Sequence, residues 1–215
     1  MKKMMSKIAM GLGLSIALIA CTKDEETIVV PVSAITVKDL AADTVTGLGL
    51  DGRPQSAGTT TYYSLVDNKI IASSDAASTK WDIAFSSTKI TVNCGTSGPG
   101  IGGAFVFKGL FDDLKTLPVD STFATDNSNA ASFAIPLGSG RAWYTYDGLT
   151  TLVSPIAGRV LVIRTATGKF AKIEIISYYK GGVTLPASAS VNDKLFKQRY
   201  YTFRYTYQSN GSKTF

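Results

Sequence analysis

Arg159-Val160-Leu161-Val162-Ile163-Arg164-Thr165, then Ala166-Thr167-Gly168, then the run from Lys169 to Tyr179, decides the fold. The first segment is rich in β-branched residues, and Gly168 offers the positive φ that a tight turn needs. The return segment alternates, with Phe170, Lys172 and Glu174 on one face and Ala171, Ile173 and Ile175 on the other. Together they predict a β-hairpin. The C-terminal segment alternates in the same way, Tyr201, Phe203, Tyr205 and Tyr207 opposing Thr202, Arg204, Thr206 and Gln208. Further short strands are expected over Thr59 to Val66, Lys69 to Ser73, Lys80 to Ser86 and Lys89 to Asn93, each bounded by turn-forming residues. Ile28 to Val37 includes Pro31 and suits an edge strand or an ordered approach. Lys38 to Gly58 carries Gly47, Gly49, Gly52 and Pro54 and reads as loop. Helix is expected only as a turn over Phe111 to Leu114 and a short stretch over Val191 to Gln198. The expected class is all-β, mainly antiparallel, as one domain over residues 38–215.

The N-terminal segment reads as an address. Lys2, Lys3 and Lys7 precede an apolar run from Ile8 to Ala20, too short to span a bilayer core of roughly 20 helical residues but suited to a secretory signal. It ends in Leu18-Ile19-Ala20-Cys21, the pattern of a bacterial lipobox. Residues 1–20 are therefore expected to be a signal peptide and Cys21 the acylated (palmitate-bearing) N-terminus, with residues 21–37 forming a tether and approach strand. Thr22-Lys23-Asp24-Glu25-Glu26-Thr27 is either a solvated linker or an acidic surface-export signal. Removing the signal leaves 19 basic against 16 acidic side chains, a net of +3 rather than +6. That weak balance has no basic stripe to suggest nucleic acid. With Cys21 acylated, Cys94 has no partner for a disulfide, so a hydrophobic core must hold the fold.

The composition excludes much chemistry. The chain has no histidine, which removes Ser-His-Asp and Cys-His catalysis and His-ligated zinc. Gly98-Pro99-Gly100-Ile101-Gly102-Gly103 matches a dinucleotide-binding spacing, but the strand-like Ala104-Phe105-Val106-Phe107 follows where a helix N-terminus is required. A glycine-rich crossover with close backbone packing fits better. Asp112-Asp113 is the one adjacent carboxylate pair of the body, and Asp82 and Glu174 fall on strands; nothing brackets them as a sugar-cleaving cleft. Ser86-Ser87-Thr88-Lys89 has a Ser-x-x-Lys spacing and reads as a tight turn. The chain is thus expected not to be an enzyme. Cys94 reads first as a small buried hydrophobe, with metal or haem ligation as the sharper alternative. The clustered tyrosines, among them Tyr144 and Tyr146, read as sheet residues, some of which could line a pocket for a flat apolar ligand.

Several strings in order resemble the HmuY family of haem-binding lipoproteins. They are Trp81-Asp82-Ile83-Ala84-Phe85, the Asn93 to Gly103 loop, Val162 to Ile173, and the tail from Tyr201 to Phe215 with Gln208-Ser209-Asn210-Gly211-Ser212. The resemblance implies an almost all-β fold with a haem cleft at one end. It also implies a lipid anchor in the outer membrane, exposure at the cell surface, and haem scavenging with transfer to a TonB-dependent outer-membrane transporter. The family supplies facing histidine or methionine ligands to the iron. Neither type occurs after residue 20, because histidine is absent and all four methionines lie within the first ten residues. The regions expected to carry the two donors are Leu117 to Phe133 and Leu149 to Pro155. Three readings follow: haem held through Tyr144, Tyr146 or Cys94 or by the cleft alone; a different flat or apolar ligand such as a metal-free porphyrin; or a surface interaction module without a cleft.

Overall fold

A computed structural model describes residues 32–129 and 132–215, so the signal segment, Cys21 and the acidic tether lie outside the described residues. The hairpin expected over Arg159 to Tyr179 lies within the main sheet. Strand β11 (Arg159–Arg164) pairs antiparallel with β12 (Phe170–Tyr179), Leu161 opposite Ile173, and Gly168 turns the chain at φ 85°. On one side β12 pairs with β13 (Gln198–Gln208), whose other edge takes β1 (Ile35–Ala41); on the other side β11 pairs with β8 (Gly103–Lys108). The result is a five-stranded antiparallel sheet in the order β1-β13-β12-β11-β8.

A second sheet has four strands in the order β5 (Lys69–Ile71), β4 (Thr61–Ser64), β6 (Ile83–Ser86), β7 (Lys89–Val92). Its inner face meets the tyrosine and phenylalanine stripe of β13. The Phe85 ring lies 4.8 Å from Tyr201 and 5.6 Å from Phe203, and Tyr63 meets Phe203 edge-on at 5.7 Å. Each such aromatic removed from water contributes roughly 1.5–3 kcal/mol. The strict i, i+2 spacing of Tyr201, Phe203 and Tyr205 places all three in this one core.

The other face of the large sheet is covered as well. Val160, Val162, Phe105, Phe107 and Phe170 pack beneath Phe111, Leu114, Leu117 and Phe215. Lys172 is buried there, its ammonium donating to the carbonyls of Phe111 and Leu114 at 2.8 Å each and lying 4.4 Å from the centre of the Phe111 ring. Phe170, Lys172 and Glu174 therefore do share a face, as their alternation predicts, but the face carries a second core. The segment over Phe111 to Leu114 forms turns rather than the expected turn of helix, and two of its carbonyls, those of Phe111 and Leu114, accept from Lys172.

Two small hairpins complete the described chain. The first, β2 (Val45–Leu48) with β3 (Pro54–Ser56), lies inside the stretch expected to be loop. Its glycines serve the turn and a register shift after Val45, so they do not exclude pairing. The expected boundary between tether and body at residue 38 falls within β1. The second hairpin is β9 (Tyr144–Asp147) with β10 (Leu152–Pro155). The expected C-terminal helix is present as α1 (Val191–Phe196), capped by Ser190, whose hydroxyl accepts from the Asp193 amide at 3.0 Å. No helix among the described residues is long and apolar enough to cross a membrane.

Candidate functional site

The glycine-rich crossover after β7 is packed against backbone at several points. A Cβ on Gly100 or Gly102 would stand 2.6 Å from the Asn93 carbonyl oxygen, and one on Gly95 would stand 1.8 Å from that of Asp126. The loop leads into β8, a strand, so the helix N-terminus that a dinucleotide site requires is absent here. Asp126 ties the crossover to the segment from Leu117 to Phe133. Its carboxylate accepts from the amides of Val92 at 3.0 Å and Ala134 at 2.9 Å, and its carbonyl accepts from Thr96 at 3.1 Å. Its own amide points to the Cys94 sulfur at 3.3 Å.

Cys94 consequently sits in the main core, 1% exposed, and burial pushes its thiol pKa up. Tyr144 is also in that core, its ring 4.8 Å from Trp143. Tyr146 is two residues further along the same strand and 51% exposed. The three candidate ligands are therefore not gathered at one point. Only Tyr146 lines one of the described cavities.

That cavity is a groove of about 350 Å³ between the β2–β3 hairpin, the β9–β10 hairpin and α1. Leu48, Pro54, Val191 and Leu195 give it apolar walls around the Tyr146 ring, while Arg53 and Lys194 bring two cations to it. Arg53 keeps only a 3.6 Å contact with Asp51, both side chains largely in water, which costs little to exchange for another anion. The Lys194 ammonium donates to the Ala187 carbonyl at 2.7 Å. Two details fix the β9–β10 turn. Asp147 accepts from the Thr150 hydroxyl at 2.6 Å and from the Leu149 amide at 2.9 Å, which hold its carboxyl below the usual range. Thr151, a wall residue, adopts φ 59°, a left-handed conformation that a β-branched side chain rarely takes. Arg53, Leu48 and Pro54 were not singled out by sequence because they fall in the stretch read as loop.

The two regions expected to face each other across one cleft line different cavities. Tyr146 and Thr151 belong to the groove just described. Asn127, Ser128 and Phe133 belong to a second cavity, of about 300 Å³, over the outer face of the four-stranded sheet. The Asp126 anchor accounts for the separation, because it binds the Leu117 to Phe133 segment to β7. Among the described residues no group of three or more histidine, cysteine, aspartate or glutamate side chains could hold a metal ion.

Three of the solved structures to which the chain is similar are the following. A Bacteroides fragilis protein assigned as a lipoprotein is 15% identical, with 80% of this chain and 87% of that chain covered at a TM-score of 0.46. A Bacteroides vulgatus protein described as HmuY-like and haem-binding is 11% identical, covering 80% and 90% at 0.43. The apo form of an HmuY analogue from Tannerella forsythia is 14% identical, covering 83% and 96% at 0.37. No curated protein matches the chain. The family model described as HmuY protein matches residues 56–189, more than half of the sequence, with all of the four-stranded sheet and three strands of the five-stranded one. The chain belongs to the HmuY family.

Proposed function

We propose that the protein is a haem- or porphyrin-binding lipoprotein of an iron-acquisition system and that the Tyr146 groove is its binding site. The observation that carries this reading is the pairing of an exposed phenol with apolar walls and two cations in a member of the HmuY family. These residues suit the chemistry of haem. A phenol oxygen is a haem-iron ligand, apolar side chains match the macrocycle, and Arg53 and Lys194 match its carboxylates. Bound haem would supply the iron centre; Tyr146 would hold it, and Arg53 and Lys194 would orient it. Family membership also supports lipid attachment at Cys21, anchorage in the outer membrane at the cell surface, and delivery to a TonB-dependent transporter. A binding rather than catalytic role agrees with the missing histidine.

The second reading, a metal-free porphyrin or another flat apolar molecule, is favoured by the lack of a second strong iron donor on the groove. A parallel titration separates the two. Haem and metal-free protoporphyrin are added to the purified protein, with absorbance followed for haem and quenching of tryptophan fluorescence for both. Haem binding at least tenfold tighter than protoporphyrin supports iron ligation, and equal affinity supports the second reading. The Arg53→Gln/Lys194→Gln double variant should weaken either ligand about tenfold, since both carry carboxylates. Failure of the wild-type protein to bind either ligand would overturn both readings.

A further inference from the structure

The second cavity has a different character from the Tyr146 groove. Its floor is the outer face of the four-stranded sheet, where register places Tyr62, Ala84 and Thr91 in one row across β4, β6 and β7, beside Ser86 and its pair Lys89. Ala84 is small and leaves a hollow between its neighbours. The Tyr62 ring, braced edge-on by buried Trp81 at 4.9 Å, forms one wall, and Phe133 adds a second aromatic surface. A neighbouring hollow of about 470 Å³ shares Tyr62, Thr96 and Ser97 and extends the site along the glycine-rich crossover.

The polar groups here are free of protein partners. Among the described residues, the hydroxyls of Thr60, Ser86, Thr91, Thr96, Ser97 and Ser128 and the Lys89 ammonium have no hydrogen bond or ion pair. Thr91 is only 7% exposed, and as a lining residue it offers the cavity a hydroxyl free to donate and accept. No carboxylate lines the site, and Lys89 is its one charge.

We propose that this cavity binds a short acidic glycan, independently of the Tyr146 groove. Hydroxyls that both donate and accept match the hydroxyls of a sugar. The Tyr62 and Phe133 rings match its C–H faces. Lys89, uncompensated, matches one carboxylate. The volume lies in the range of about 300–1,000 Å³ usual for small-molecule sites.

Calorimetric titration of the purified protein with cellobiuronic acid and with cellobiose, which differ by that carboxylate, tests this. The acid should bind at least tenfold more tightly. Lys89→Gln should erase the preference while leaving cellobiose binding unchanged. Thr91→Val, which conserves shape but removes the hydroxyl, should weaken both sugars about fivefold. Lys89→Gln alters a side chain with no partner, so it keeps the test decisive if Thr91→Val fails to fold. Absence of binding by both sugars, equal binding of the two by the wild-type protein, or affinities unchanged in Lys89→Gln would each overturn the proposal.

Discussion

Thr151 holds a left-handed backbone conformation, φ 59°, on the wall of the Tyr146 groove. For a non-glycine residue that conformation costs about 1–2 kcal/mol, partly offset in a glycine variant by about 0.5–1 kcal/mol of extra chain entropy. Thr151→Gly should therefore raise stability by about 0.5–1 kcal/mol in urea titration; a loss of stability would contradict the strain. Asp43 shows the opposite case, a buried charge that stabilises. It accepts from the Ser56 hydroxyl at 2.7 Å and the Thr59 amide at 2.9 Å, and lies 3.5 Å from the partly buried Arg199 guanidinium. Burial alone would raise its pKa, but the hydrogen bonds from Ser56, Thr59 and Gly58 and the charge of Arg199 outweigh it, and the net shift is downward from 3.8. A carboxylate with a lowered folded-state pKa stabilises fully above its ordinary value and loses that contribution as pH falls through the lowered one. Asp43→Asn, which tolerates the φ of 57° at this position, should cost about 2 kcal/mol at pH 7. Stability measured against pH should show the gap to the wild-type protein closing below pH ~4. A gap that persists at lower pH would show that the carboxylate charge is not its source.

The elements divide by how local their signals are. The β11–β12 hairpin and the β13 stripe were legible because alternation and a turn glycine act within a few residues. The β2–β3 hairpin was not, since its pairing rests on contacts far along the chain: Asp43 clasps Ser56, and Arg199 on β13 donates to the Asp43 carbonyl at 2.8 Å. The crossover from Asn93 to Gly103 is intermediate. Its glycines announce close packing, but only the fold identifies Asp126 as what they pack against. Gly95→Ala would drive a methyl group into the Asp126 carbonyl at a position of φ 55°. We expect a loss of more than about 2 kcal/mol, seen calorimetrically as a melting temperature lower by roughly 5 °C. An unchanged melting temperature would mean that this contact does not anchor the loop. The burial of Lys172 is non-local for a related reason: alternation places it opposite Ala171 and Ile173, but only the turns around Phe111 and the C-terminal Phe215 close over it.

At the scale of the whole molecule, an HmuY-family β scaffold carries two separate cavities, one apolar with two cations and one lined by hydroxyls. The sequence showed that histidine and methionine ligands are missing and that tyrosine was the substitute to examine. It did not separate Tyr144 from Tyr146, which lie on the same side of one strand. Their difference is tertiary: the β9–β10 hairpin enters the core at Tyr144 and leaves it at Tyr146. Nor could sequence show that the Leu117 to Phe133 segment is drawn away from that hairpin by Asp126. The central claim, haem held at the Tyr146 groove, is tested most directly by haem titrations of the wild-type, Tyr144→Phe and Tyr146→Phe proteins, recorded in the Soret region. The account predicts a shifted Soret band for the wild-type and Tyr144→Phe proteins and its loss in Tyr146→Phe. A band unchanged in Tyr146→Phe, or no band in the wild-type protein, would contradict it.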